Sequence, residues 1–162
     1  MALTAYCPSP FGCFKITGSE LGVQAIQLMT GKSCPSAKTP KELRTCVQQL
    51  KEYFARKRTN FDLKLDFGKA PEFHQAVWQE LMAIPYGHTT YYSAIADKLG
   101  DSKKMRAVGQ ANRSNPIPII VPCHRVIAKN GDLQGYYYGL DMKRKLLELE
   151  NPMSFATQGS LF

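Results

Sequence analysis

The pattern of hydrophobic and polar positions divides the chain into a part with strand periodicity and a part with helical periodicity. Residues 12–29 alternate, with glycines at positions 18 and 22 that can turn the chain, and predict a β-hairpin. Residues 61–67 also alternate and predict a third strand. Between them, residues 39–42 (Thr-Pro-Lys-Glu) match a capping box with proline at the first helical position, and apolar residues follow at helical spacing. This part predicts a small domain with an antiparallel three-stranded sheet and one helix.

The second part of the chain is helical. Four stretches carry helical periodicity, and Asp141 can cap the last of them: residues 71–84, 92–99, 103–114 and 141–150. The second and third are separated by Gly100-Asp101-Ser102, which is typical of a helix-turn-helix. Residues 68–71 mark the boundary, so we predict a companion domain over 1–68 and a mainly helical, winged-helix-like domain over 69–162. The predicted fold class is α+β.

Composition and charge narrow the class of protein. The chain has 162 residues and a formal net charge of +8, and its apolar runs are shorter than the ~20 residues that cross a bilayer. The N-terminus shows no signal-peptide pattern, so we expect a cytoplasmic protein with no membrane partner. Ten lysines and arginines lie between Lys98 and Lys145. This charge suggests either a polyanionic partner, such as nucleic acid, or a merely solvated basic surface.

The five cysteines are odd in number and form no CxxC pair. This pattern argues against a disulfide framework and against a thioredoxin-like site. Cys7 and Cys13 with a distant histidine could ligate zinc, but their spacing fits poorly, and we interpret them as small buried apolar residues. We predict no bound metal.

The predicted helix over residues 103–114 combines small residues, amides and arginines. Ala107 and Ala111 share a face at i,i+4, which permits either close approach to DNA or tight packing against another helix. The basic residues at its ends, Lys103-Lys104 and Arg113, favour DNA.

The pentapeptide over residues 122–126 (Pro-Cys-His-Arg-Val) carries the strongest chemical signal. A thiol is a strong nucleophile only as thiolate, and a nearby base or positive charge lowers its pKa. Adjacent side chains of an extended segment point apart, so we expect His124 to reach Cys123 through a water. Glu148 or Glu150 would hold the other ring nitrogen of His124. Arg125 fits equally well as part of this chemistry or as the structural partner of an acid.

Residues 122–127 resemble the active-site signature of the O6-alkylguanine-DNA alkyltransferases, also called methylated-DNA–protein-cysteine methyltransferases. The resemblance extends over residues 73–150, while the N-terminal part matches only as an expected companion domain. The further matching positions are Ile84-Pro85-Tyr86-Gly87, Tyr92, Ile95-Ala96, Arg106-Ala107-Val108-Gly109, Asn115-Pro116, Gly131, Gly135-Tyr136 and Lys145-Leu146-Leu147.

The resemblance implies a DNA repair protein that acts on alkylated double-stranded DNA. The damaged base is rotated out of the stack, because the O6 atom is inaccessible to in-line attack inside the duplex. Cys123 would accept the alkyl group, chiefly methyl, as a stable thioether, so each molecule would act once. O4-methylthymine would be a minor substrate. The resemblance further implies no cofactor, a monomer, and a position at the nucleoid or in the nucleus according to the organism.

Residue roles follow from the resemblance by matched position. His124 is the water-mediated base, Glu150 orients it, and Tyr92 offers a proton to the departing guanine. Arg106 fills the space vacated by the base, and its helix lies in the minor groove. The other residues expected at the DNA are Ala107, Gly109, Gln110, Ala111, Asn112 and Arg113, with Tyr92.

The resemblance also implies a pocket for the flipped base. Asn115 would pin the turn before the active-site segment, and the Val126 carbonyl would accept from the exocyclic amine of the base. The backbone of Tyr136, Tyr137 and Tyr138 would line the pocket. Tyr137 and Tyr138 stand where many members of the family have small residues, so we expect methyl to be transferred well and a benzyl-sized group slowly.

Three other functions compete with this interpretation. An alkyltransferase-like sensor of DNA damage carries tryptophan in place of the cysteine, and Cys123 excludes that pattern. A cysteine hydrolase draws its histidine from elsewhere in the chain, and the remaining His74 and His88 fit structural or surface positions better. A basic helix-turn-helix module with an inert cysteine leaves the matched positions unexplained.

Overall fold

The computed structural model describes residues 2–29, 33–131 and 135–153. It divides into two compact units. The first contains the chain up to Lys69 together with Pro116–Pro118, and the second contains Ala70–Asn115 and the chain from Ile119 onward. Within these described ranges, no helix combines the length and the apolar character that a membrane crossing requires.

The first unit is an antiparallel sheet with a helix packed against it. The strands are β1 (Leu3–Ser9), β2 (Gly12–Ser19) and β3 (Gly22–Met29), in the order β1-β2-β3. A 3₁₀ turn, Lys41–Leu43, leads into α1 (Arg44–Phe54). The core of this unit forms where the inward face of the sheet meets α1, and its largest buried side chains are Phe14, Ile16, Ile26, Leu43, Leu50 and Tyr53.

The predicted hairpin over residues 12–29 is confirmed, but the third strand was assigned to the wrong segment. That strand is β1, which pairs along its length with β2. Its inward-facing residues include Ala5 and Cys7, which are buried but small. Small inward residues produce a weak alternation signal, and this is why the pattern of hydrophobic positions missed β1.

Residues 61–67 run beside β3 but form only a single parallel bridge, between Leu65 and Val23. The Val23 N–H donates to the Lys64 carbonyl at 2.9 Å, and the Asp66 N–H donates to the Val23 carbonyl at 2.8 Å. Gly22 (φ +139°) permits this approach, because a Cβ there would lie 2.7 Å from the Lys64 carbonyl oxygen. Alternation correctly indicated an extended segment but cannot distinguish a strand ladder from one bridge.

The cysteines of the first unit depart from expectation. Cys13 forms a disulfide with Cys34, where we predicted none. An odd cysteine count argues against a framework of several bridges, but it leaves a single pair open. Cys7 is free and buried, as expected for a small apolar residue, and Cys46 is also free and buried. No three potential metal ligands come together in the described parts of the chain.

Two predicted helix caps are absent. Pro40, not Thr39, precedes the 3₁₀ turn before α1, and no side chain caps that turn. The last helix begins one residue earlier than predicted, with Gly139 at its N-cap position. Asp141 therefore lies in the first turn, where its negative charge interacts favourably with the positive end of the helix dipole.

The second unit is mainly helical. Its helices are α2 (Glu72–Met82), α3 (Tyr92–Lys98), α4 (Met105–Arg113) and α5 (Leu140–Glu150). A short parallel pair of strands, β4 (Thr90–Tyr91) and β5 (Val126–Ile127), joins the start of α3 to the segment after residue 125. The α3–α4 connection is longer than predicted, because Ser102–Lys104 forms a 3₁₀ turn capped by the Asp101 carboxylate, which accepts from the Lys103 N–H at 2.9 Å.

Candidate active site

Helix α4 has a buried face and an exposed face, and these separate its predicted DNA contacts. Val108, Ala111 and Asn112 are buried, Ala111 completely. The Trp78 indole Nε1–H donates to the Ala111 carbonyl at 2.8 Å and anchors the end of α4 to α2. The assignment of Ala111 and Asn112 to DNA contact is therefore wrong: for Ala111, tight helix packing explains the small residue.

The exposed face of α4 borders a cavity of about 560 Å³. Arg106, Arg113 and Lys129 line it and give it positive charge, which suits a polyanionic ligand. The lining comprises Tyr92, Ser93, Met105, Arg106, Gly109, Gln110, Arg113, Ala128, Lys129 and Gly135. Five predicted DNA-contacting residues (Tyr92, Arg106, Gly109, Gln110 and Arg113) thus meet at one cavity, and Ala107 beside them is half-buried.

Pairing of β4 with β5 brings Tyr92 and Cys123 together. Thr90 lies opposite Val126 and Tyr91 opposite Ile127, so the first residue of α3 adjoins the turn that precedes β5. Burial and the nearby Cys123 raise the pKa of Tyr92 to about 12. The Tyr92 phenol is therefore protonated at neutral pH and can donate a hydrogen bond or a proton.

Cys123 lies in a 3₁₀ turn, Cys123–Arg125, and not in the extended segment that we expected. Two asparagines hold this turn. The Asn115 amide donates to the Val121 carbonyl at 2.8 Å and also hydrogen-bonds to the Cys123 side chain. The Asn112 amide donates to the Cys123 carbonyl at 3.3 Å. Asn112, buried away from solvent, is thus placed to support the backbone of the cysteine.

The segment before the turn is conformationally strained. Ile119 adopts φ +76° and is buried, a conformation that β-branched residues rarely adopt. Asn115, four residues earlier, bonds beyond it to Val121. This side-chain hydrogen bond helps to hold the strained backbone that leads into the Cys123–Arg125 turn.

His124, Glu150 and Arg125 form a buried cluster. The His124 Nε2 lies 2.7 Å from Glu150 Oε2, and Arg125 donates to both carboxylate oxygens, at 2.8 and 3.0 Å. Arg125 also donates to the Ile84 carbonyl at 2.7 Å. The structure thus selects Glu150 over Glu148 as the partner of His124. Arg125 has a structural role, because its hydrogen bonds to Glu150 and to the Ile84 carbonyl hold the Cys123–Arg125 turn in place.

The protonation states of the cluster follow from its geometry. Burial lowers the pKa of His124, so the ring is neutral. Although burial opposes ionisation of Glu150, His124 and Arg125 hold the pKa of its carboxyl well below the usual value. Because an ionised carboxylate only accepts, the His124 proton resides on Nε2. Nδ1 is then the basic nitrogen, and within the described residues it has no hydrogen-bond partner.

The Cys123 thiol is not ionised in the resting protein. Burial raises its pKa to about 11, although the hydrogen bond from Asn115 and the charge of Lys143 act to lower it. We expected a lowered pKa from the neighbouring His124 and Arg125. His124 is neutral and Arg125 is directed to Glu150, so burial dominates. To act as a nucleophile at neutral pH, the Cys123 thiol would first have to lose its proton to a base.

Lys143 is a site residue that sequence reasoning missed. Its side chain is completely buried on α5, with its Nζ 5.9 Å from the centre of the Tyr92 ring. A signal was present in the sequence, because Lys143 shares the apolar face of α5 with Leu146, Leu147 and Glu150, at spacings of three, four and seven residues. A lysine in an apolar stripe indicates a buried, functional or paired cation.

The three tyrosines of the predicted pocket differ in burial. Tyr136 is buried, whereas the Tyr137 side chain is 72 % exposed. The Tyr138 ring packs edge-on against both, with centroids 6.2 Å from Tyr136 and 4.8 Å from Tyr137. Gly135 (φ +56°) leads into them, and a Cβ there would lie 3.4 Å from the Arg113 guanidinium and 3.7 Å from the Tyr92 hydroxyl.

Together these features define a protein with a buried cysteine, a hydrogen-bonded histidine–carboxylate pair and an adjoining basic cavity. Residues 72–152 match the 6-O-methylguanine DNA methyltransferase, DNA binding domain, and residues 3–67 match the ribonuclease-like domain of the same proteins. The chain belongs to the 6-O-methylguanine DNA methyltransferase family.

Individual relatives agree with this assignment. A methylated-DNA–protein-cysteine methyltransferase of Methanosarcina acetivorans is 46 % identical over 147 residues, which cover 88 % of this chain and 94 % of the relative. The crystal structure of Mycobacterium tuberculosis O6-methylguanine methyltransferase superposes with a TM-score of 0.83 at 41 % identity, covering 94 % of each chain. The Mycobacterium tuberculosis OGT in complex with DNA gives 0.80 at 42 % identity, covering 91 % of each.

Proposed function

We propose that this chain flips O6-alkylguanine out of double-stranded DNA and transfers the alkyl group, chiefly methyl, to its own Cys123. The similarity to the family and to its named relatives indicates the class of enzyme, a methylated-DNA–protein-cysteine S-methyltransferase that acts in DNA repair. The observation that supports Cys123 as the acceptor is its place in one 3₁₀ turn with His124, whose ring is held by Glu150. This arrangement leaves a basic nitrogen on a histidine adjacent to the thiol.

The proposed reaction uses four side chains. A water carries the Cys123 proton to His124 Nδ1, and Glu150 stabilises the imidazolium. The Sγ electron pair then bonds to the methyl carbon, and the electrons of the carbon–O6 bond pass to guanine. Tyr92 gives its proton to the departing base. His124 releases the proton that it took from Cys123 to solvent, and Tyr92 regains a proton from solvent. The thioether does not hydrolyse, so each molecule acts once.

The proposed DNA contact is the exposed face of α4. Arg106, Gln110 and Arg113 project from it into the basic cavity. We place this face in the minor groove, with Arg106 in the space that the base vacates. The Mycobacterium tuberculosis relative was crystallised with DNA, which supports duplex DNA as the partner. We further propose that the chain acts as a cytoplasmic monomer on the genome and repairs O4-methylthymine as a minor substrate.

Intact mass spectrometry tests the assignment of the acceptor. After incubation with a duplex that contains one O6-methylguanine, we expect each protein molecule to gain one methyl group, located on Cys123 by peptide mapping. Cys123→Ala should gain none, whereas Cys46→Ala, which removes another buried free thiol, should gain one. Methyl on any other residue, or more than one per chain, would contradict the proposal.

Bulky adducts are expected to react slowly because of Tyr138. Its ring is packed between Tyr136 and Tyr137 and cannot swing away without breaking these contacts. We expect inactivation by O6-benzylguanine to be on the order of 10-fold faster in Tyr138→Ala, as expected for a steric cost of a kcal/mol or two. Methyl transfer from DNA should change little, and Tyr138→Phe, which keeps the ring, is the matched control. Equal rates with benzylguanine in wild type and Tyr138→Ala would refute this role.

A further inference from the structure

Lys143 is completely buried although lysine is among the residue types least often found inside proteins. Helix α5 packs against the Cys123–Arg125 turn, and it presents Lys143 and Glu150 from the same face, two turns apart. In the proposed mechanism, Glu150 orients His124 and stabilises its imidazolium. The same helix face therefore brings a carboxylate and an ammonium group to one site.

The surroundings of Lys143 are the reacting groups themselves. Its Nζ lies over the Tyr92 ring, within cation–π distance. Lys143 lowers the pKa of Cys123, and Cys123 in turn opposes the effect of burial, which brings the pKa of Lys143 down to about 8. Lys143 also helps to keep His124 neutral. Of the other ionisable groups at the site, Tyr136 is influenced by Cys123, and Arg125 is bound to Glu150.

The charges of the histidine cluster largely cancel. Arg125 is positive, Glu150 is negative and His124 is neutral, and all three are joined by short hydrogen bonds. Their net field on the sulfur is therefore small. Among the buried residues that the structure describes, Lys143 is the remaining cationic side chain. Burying an ammonium group is costly unless it is paired and hydrogen-bonded, and an ionised Cys123 would offer it a negative charge.

We propose that Lys143 supplies the positive charge that stabilises the Cys123 thiolate and, during transfer, the negative charge that passes to the departing base. The Sγ electron pair forms the new bond to carbon, the electrons of the carbon–O6 bond pass to the base, and Lys143 keeps its proton throughout. It is a positioning residue that acts through its field and through its contact with the Tyr92 ring. The effect on transfer rests on the proposed function, whereas the effect on thiol ionisation does not.

The test measures the reactivity of the thiol without DNA. Lys143→Met removes the charge and keeps an unbranched, apolar stem of similar length, so the core stays filled. The rate of carbamidomethylation of Cys123 by iodoacetamide is followed against pH by peptide mass mapping. At neutral pH, where Lys143 with its pKa of about 8 still carries its proton, we expect this reaction to be about 10-fold slower in the variant, and above pH 8 the two rates should converge. Lys143→Gln should show the same loss of rate at neutral pH and serves if the methionine variant does not fold.

Lys145→Met is the matched control. Lys145 lies on the same helix, but its side chain is 59 % exposed and pairs with Asp141, so the profile should equal that of wild type. A wild-type rate at neutral pH in Lys143→Met or Lys143→Gln would overturn the role of Lys143. Failure of the wild-type protein to take methyl from DNA would instead overturn the proposed function, and the two failures are separately observable.

Discussion

Replacing Glu150 by glutamine is expected to cause the largest combined loss of activity and stability in this protein. Glu150 is the shared acceptor of His124 and Arg125 inside the second unit. Removing one partner of a buried ion pair leaves the other charge uncompensated, which costs about 3 kcal/mol of unfolding free energy. The base also loses the carboxylate that stabilises its imidazolium, so we expect methyl transfer to fall by about 100-fold or more.

Glu148→Gln is the matched control, because Glu148 lies on the same helix two residues earlier and was the other carboxylate that the sequence left open. Urea denaturation gives the stabilities, and single-turnover methyl transfer gives the rates. Glu148→Gln should behave as wild type. If the two variants are equally active and equally stable, the role assigned to Glu150 is wrong.

The same cluster predicts how stability depends on pH. Glu150 has a folded-state pKa below its unfolded value of about 4.3, so its contribution is complete above that pH and is lost as the pH falls. His124 is held neutral, so its contribution is present above about pH 6.5 and is likewise lost on acidification. The wild-type unfolding free energy should therefore decline from about pH 6.5 downward, and Glu150→Gln should lose the part of this decline that lies below about pH 4.3.

Replacing Arg106 by alanine is expected to impair repair of duplex DNA while sparing attack on the free base. Arg106 projects from the exposed face of α4 at the edge of the basic cavity. If its side chain fills the space left by the flipped base, its loss exposes the unstacking cost of a few kcal/mol. We expect transfer from an O6-methylguanine duplex to slow by about 100-fold, with little change in the reaction of free O6-methylguanine.

Lys103→Ala separates insertion from simple loss of charge. Lys103 is an exposed cation in the connection before α4, and its removal weakens any phosphate contact without affecting an inserted side chain. Both variants should reduce the salt dependence of duplex binding, by about one unit of slope at most. Only Arg106→Ala should show the large difference between duplex and free base. Equal losses on the two substrates would argue against a flipping role.

Local patterns in the sequence were sufficient for most helices and for the chemistry of the site. The spacing of apolar residues located α1 to α5, because the buried face of a helix repeats every three to four residues whatever it packs against. The pentapeptide over residues 122–126 indicated a nucleophilic cysteine from residue types alone. The matched motifs then indicated the family, which the comparisons confirm.

Properties that depend on distant contacts could not be predicted in this way. The partner of Cys13 lies 21 residues along the chain, and the third strand is recognisable only from its pairing with β2. Ala107 and Ala111 look alike in sequence, but the fold buries Ala111 completely and leaves Ala107 half-buried. The pairing of β4 with β5 brings together Tyr92 and a turn that lies 31 positions further along the chain.

The cysteine illustrates the division most clearly. Its identity, its histidine neighbour and its expected nucleophilic character are visible in five consecutive residues, because reactivity belongs to functional groups. The ionisation of Cys123 cannot be seen in the sequence, because the pKa of a thiol is set by its burial and by charges that the fold brings close. The tertiary structure buries Cys123, directs Arg125 to Glu150 and places Lys143 where its charge reaches the sulfur. Residue types thus indicated the chemistry, and the packing of α5 against the turn decided which groups can control it.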